Sequence, residues 1–114
     1  MPKTTVYYFT FSNGKNPVRQ FIDSHPKSKP KIMRVIYVIE EYGLQTVIPH
    51  LKKLTGTPLW EIRILGQESV RVLYVGYRGQ NILLLHAFEK KTQKTPPKEI
   101  ATAMHRLKEL GVDS

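Results

Sequence analysis

Apolar positions along this chain follow two periods, and the change from one to the other divides it. Thr5 to Phe11, rich in Val, Tyr, Phe and Thr, predicts a first strand, and Ser12 to Asn16 reads as a turn. Asn16 before Pro17 has the form of an N-cap followed by proline at the first helical position. Val18, Phe21 and Ile22 then recur at helical spacing until His25-Pro26 breaks the helix. A longer helix is expected from Lys29 or Pro30 to Tyr42, burying Ile32, Val35, Ile36, Ile39 and Tyr42 and ending at Gly43. Leu44 to Thr57 is expected to be a connection, holding one short helical turn around His50 to Leu54.

From Leu59 the period becomes two. Trp60, Ile62 and Ile64 point one way, and Glu61 and Arg63 the other. Gly66 to Ser69 makes a hairpin connection to a strand over Val70 to Tyr77. Arg78 to Asn81 makes a second turn, into a strand over Ile82 to Phe88. That last strand is apolar on both faces, which predicts an interior place in the sheet. A closing helix follows, with Thr95 as its cap, Pro96 in its first turn, and Ile100, Ala103, Met104, Leu107 and Leu110 on its buried face. The order is strand, two helices, three-strand meander, helix: an α+β domain with helices packed on a mainly antiparallel sheet.

Composition restricts the class. At 114 residues the chain suits one domain, and 40% hydrophobic content is that of a folded protein. Lys and Arg number 18 against 9 Asp and Glu, a net charge of +9, which favours an anionic partner. No apolar run is long enough to span a bilayer, and the N-terminus has no signal-peptide core, so a cytoplasmic location without membrane is expected. The chain has no cysteine, hence no disulfide framework and no thiolate metal site. His25, His50, His86 and His105 lack zinc spacing, and there is no glycine-rich phosphate loop and no nucleophile elbow. Paired carboxylates are scarce, which points to chemistry without a metal.

Three constellations remain. If the hairpin loop is close to Gly66 to Glu68, Arg63 and Arg71 oppose each other on one face, an unfavourable pairing that a bound phosphate would reverse. In the alternative reading both are solvated on an open face with Glu61 as their partner. His86, near a strand end, is a candidate acid or base and equally a satisfied core histidine. Lys90, Lys91 and Lys94, beside Thr92 and Thr95 and ahead of a helix N-terminus, are phosphate-contact candidates or a solvated loop. A second basic region, Lys27, Lys29, Lys31 and Arg34, is either a solvated helix face or a long-range attractor for RNA. Tyr74 and Tyr77 lie on opposite strand faces, so at most one belongs to a stacking surface.

The segments Leu51-Lys-Lys-Leu54, Leu59-Trp-Glu-Ile-Arg-Ile64, Val70-Arg-Val-Leu-Tyr74 and Leu84-Leu-His-Ala-Phe-Glu-Lys-Lys-Thr-Gln-Lys-Thr-Pro96 together resemble the HigB-like, phage-related branch of the RelE/ParE toxin superfamily. The likeness runs from about Val18 to Leu110. It implies a RelE-like fold and a type II toxin that cuts mRNA on the ribosome, needs no cofactor or metal, and is neutralised by a helix-turn-helix antitoxin of the HigA-like kind. The ParE branch shares the scaffold but poisons gyrase. On this resemblance Arg71 matches the superfamily's arginine on the third strand, and Arg63 a basic position on the second. Lys90, Lys91 and Lys94 stand where RelE-type toxins carry basic residues. The chain has no tyrosine in its final segment or closing helix, so Glu61 or His86 must serve as acid or base. The expected catalytic set is Arg63, Arg71, Lys91, His86 and Glu61. Lys90, Lys94, Lys27, Lys31 and Arg34 are the expected RNA contacts.

Overall fold

The computed structural model describes residues 3–111. Strand β1 (Val6–Tyr8) leads into helices α1 (Pro17–Ser24) and α2 (Lys29–Tyr42) and a 3-10 segment (Leu44–His50). Strands β2 (Leu51–Lys53), β3 (Trp60–Ile64), β4 (Val70–Tyr77) and β5 (Asn81–Glu89) follow, and helix α3 (Pro97–Glu109) closes the chain. The sheet order is β1-β5-β4-β3-β2. Among the described residues only the β1–β5 pair is parallel, so the α+β expectation with a mainly antiparallel sheet is met.

Local signals explain most elements. The Asn16 side chain accepts the Arg19 N–H at 3.0 Å and starts α1, with Pro17 in its first turn. Gly43, at φ 89°, ends α2 as its N–H donates to the Ile39 carbonyl. The first strand is shorter than expected, because the chain turns back at Phe11, whose N–H donates to the Lys15 carbonyl. Two further corrections concern Leu44 to Thr57. The helical turn lies at Leu44–His50 rather than His50 to Leu54, and Leu51–Lys53 is an edge strand paired with β3. The meander therefore has four strands, β2 to β5, not three. Three residues with one apolar position offer too little alternation to read as a strand; pairing with β3 decides it.

Helices cover both faces. Val18 and Ile22 of α1 and Ile32, Ile36 and Ile39 of α2 pack on Ile62, Ile64, Val70, Val72, Ile82 and Leu84. Ala103 and Leu107 of α3 pack on the other face, against Leu73, Val75, Leu83, Leu85 and Phe88. Strand β5 contributes to both clusters and lies between β1 and β4, as its double-sided hydrophobicity predicts. The ends of the expected helix stripes are not buried. Tyr42 is 62% and Leu110 43% exposed, since each lies in or just past the last turn of its helix. Tyr74 and Tyr77 do fall on opposite faces: Tyr74 joins the α1–α2 cluster, and Tyr77 packs edge-on to Tyr7 beside the α3 cluster.

Candidate functional site

The β3–β4 register sets Arg63 opposite Arg71, and Glu61 opposite Leu73. Glu61, Arg63 and Arg71 share the face that α3 covers, with the two arginines toward the hairpin end. Arg71 is not solvated on an open face, as the alternative reading has it. It is 8% exposed and lies along the sheet, its Nη1 donating to its neighbour's carbonyl, Val70, at 3.0 Å. Its Nε sits 3.2 Å from Oε1 of Glu61, which has no exposed surface. Nζ of Lys90 lies 3.8 Å from the same oxygen, and the Thr95 hydroxyl donates to Oε2 at 3.0 Å. Neither Glu61 Oε1 nor Arg71 Nε has a properly directed hydrogen bond. Attraction between charges holds this floor together, with hydrogen-bonding capacity left over.

Above the floor opens a cleft of about 520 Å³, lined by Lys52, Arg63, Arg71, Lys90, Lys91, Thr92 and Gln93. Five cationic side chains thus stand over one buried carboxylate. Arg63 is exposed and rests an Nη2 contact of 3.3 Å on the Pro49 carbonyl. Burial lowers the Arg71 pKa, with Glu61 opposing and Arg63 reinforcing the shift. The Lys90 ammonium is held below its usual range by burial first. Glu61 pulls it back up, while Arg71, Lys52 and Arg63 push it down. An anion entering this cleft relieves the crowding of like charges.

Lys52 is the residue that sequence reading missed. It faces Glu61 directly across the β2–β3 pair, a position visible only once β2 is known to be a strand.

The three lysines after β5 do not act alike. The Lys90 N–H donates to the Ser69 carbonyl at 2.7 Å, which pins that backbone to the hairpin. Lys91 is exposed and lines the cleft; Lys94 is exposed and does not. Thr95 does not cap α3 as expected, because the helix begins at Pro97 with Pro96 before it. The Thr95 hydroxyl instead folds the 90–95 loop down onto Glu61.

His86 is also on the α3 face, but it lies outside the cleft lining. The β4–β5 register slips between Leu73 and Tyr74, whose partners are His86 and Leu84; this bulge leaves Leu85 unpaired and turns both Leu85 and His86 toward α3. His86 Nε2 lies 2.8 Å from Glu99 Oε1, and Arg106 Nη1 reaches Nδ1 at 3.2 Å and the Leu85 carbonyl at 2.8 Å. Since Arg106 can only donate, His86 carries its proton on Nε2 and gives it to Glu99. Burial, aided by Arg106 and opposed by Glu99, lowers the His86 pKa. This trio fastens α3 to β5.

The second basic region is elsewhere. Lys31 donates to the Leu65 carbonyl at 2.6 Å and, with Lys27, Ser28 and Glu68, borders a smaller hollow of about 160 Å³ under the hairpin. Arg34 is exposed and lines neither hollow. Among the described residues, His25, Glu68 and Glu89 bring metal-capable atoms within 4.8 Å of one another, a grouping that sequence spacing does not show. None of the three lines the cleft. No described helix is long and apolar enough to cross a membrane.

No curated protein matches the chain. Residues 20–108, most of its length, match the family described as Phage derived protein Gp49-like (DUF891), and the chain belongs to that family.

Proposed function

We propose that this chain is the toxin of a type II toxin–antitoxin pair, a HigB-like member of the RelE/ParE superfamily that cuts ribosome-bound mRNA. Membership of the Gp49-like family, which is associated with RelE- and HigB-like toxins, supports the reading. The observation that carries it is the cleft itself: Lys52, Arg63, Arg71, Lys90 and Lys91 converge above one buried carboxylate, with two arginines directly opposed. Such a site is built for a phosphate-bearing ligand.

In this reading the ribose 2′-hydroxyl attacks the adjacent phosphate and leaves a cyclic phosphate. Arg63, Arg71, Lys52 and Lys91 stabilise the additional negative charge on the phosphorane-like transition state. Glu61 is a positioning residue that holds Arg71 and Lys90 at the floor. It has no accessible surface and His86 lies outside the lining, so neither meets a bound ribose directly in this arrangement. A helix-turn-helix antitoxin is the proposed partner, neutralising the cleft by covering it.

Tightly regulated expression of the parent chain and of Arg63→Ala tests the reading. Growth arrest, a stop in amino-acid incorporation and new 5′ ends within translated messages are expected from the parent, and loss of all three from the variant at equal protein level. Arrest accompanied by DNA damage with intact messages would mean a gyrase poison. RNA binding without any cleavage would mean a binding module.

A further inference from the structure

We infer that Lys90 is the general acid of the cleft, delivering a proton from its ammonium to the departing 5′ oxygen. The inference rests on the RNA-cutting reading and assigns a step which that reading leaves open. Arg63 and Arg71 carry guanidinium groups, which do not release protons in proteins. Glu61 is sealed beneath the floor, and His86 is committed to α3. Lys52 and Lys91 are exposed at the rim. Of the lysines in the lining, Lys90 is the one with both a fixed backbone and a side chain only 7% exposed.

Its surroundings favour giving up a proton. The charged groups facing Nζ are Lys52 from β2, Glu61 and Arg63 from β3, and Arg71 from β4: three cations against one anion. Burial disfavours the ammonium further, so the neutral amine left behind forms more readily than that of an exposed lysine. Glu61 keeps the group protonated before the reaction. It does so by charge alone, because 3.8 Å is beyond hydrogen-bond reach and the ammonium's N–H donors stay available to the substrate.

The 2′-oxygen–phosphorus bond forms as the phosphorus–5′-oxygen bond breaks. The 2′-hydroxyl proton passes to water in the open cleft, and one Nζ–H passes to the 5′ oxygen. The products are a 2′,3′-cyclic phosphate and a 5′-hydroxyl, and the amine recovers its proton from solvent.

Two variants test this on a synthetic, ribosome-bound message, made with either the natural 5′ oxygen or a bridging 5′ sulfur at the bond the parent cuts. Sulfur leaves as a thiolate and needs no acid. Lys90→Arg keeps the charge but cannot donate. It is expected to lose about 10²-fold or more with oxygen, to come within about 10-fold of the parent with sulfur, and to bind RNA normally. Equal deficits on both messages, or loss of RNA binding, would make Lys90 a phosphate anchor and overturn the inference.

If the larger arginine disturbs the floor, the absence of cysteine from the chain offers a second route. Lys90→Cys, alkylated before it is mixed with ribosomes, should recover cleavage with an aminoethyl group. A trimethylammonium-ethyl group, charged but without a proton, should not restore it. Rescue by both reagents or by neither would equally overturn the assignment. A parent that cuts neither message would instead remove the RNA-cutting reading itself.

Discussion

Replacing Glu61 by Gln removes one charge from the floor while keeping the shape and the Thr95 contact. Before the change, Arg71 Nε and Lys90 Nζ lie 3.2 and 3.8 Å from the same carboxylate oxygen. At an effective dielectric of about 20 these separations correspond to gross attractions of about 5 and about 4 kcal/mol. Desolvation of all three groups offsets much of that, and removing one member of a buried pair costs about 3–5 kcal/mol net. The variant also leaves Arg63, Arg71 and Lys90 repelling one another with no counter-charge. Against a typical domain stability of about 5–15 kcal/mol, that is a large share of the whole.

Urea unfolding read through the single tryptophan, Trp60, and by circular dichroism measures the loss. Sulfate or phosphate should narrow the gap between variant and parent, because an anion in the cleft takes over the carboxylate's role. Chloride at matched ionic strength should narrow it less. A loss below about 1 kcal/mol, or one that sulfate does not reduce, would refute the view that this carboxylate is the counter-ion of a preformed anion site.

Three further outcomes are expected. Arg63→Ala should cut message cleavage by about 10²–10³-fold, yet shift the urea midpoint little, since Arg63 is exposed and makes one long contact to a carbonyl. Lys91→Gln should lower the salt slope of RNA binding by about 1, whereas Lys94→Gln should leave it unchanged, because only Lys91 borders the cleft. The folded-state pKa of His86 lies below its ordinary value of 6.5, so between the two the unfolded chain binds more protons and stability rises with pH. Acidification below pH 6.5 should therefore cost stability until the folded-state pKa is passed, and His86→Gln should flatten that part of a melting-temperature profile; an unaltered profile would show that the ring is not buried neutral.

The sequence alone determines much of the sheet. Alternation from Trp60 to Ile64 puts Glu61 and Arg63 on one side, and a hairpin loop close to Gly66 to Glu68 sets Arg63 against Arg71, the register the structure has. Both are local properties: side chains alternate with period two, and a tight connection leaves few registers. The double-sided apolar run at Ile82 to Phe88 likewise announces an interior strand. Depth and company could not be read in the same way. Arg71 looks like a surface arginine until the 90–95 loop, drawn down by Thr95, closes over Glu61 beside it. Lys52 is only one basic residue in a loop-like stretch until Leu51–Lys53 pairs with β3 and turns it toward the cleft. Lys90, Lys91 and Lys94 are indistinguishable in composition, yet one is buried at the floor, one stands at the rim and one lies outside. Each of these depends on segments far apart in the chain meeting at the end of the sheet, and burial and electrostatic field are properties of that meeting rather than of any one segment.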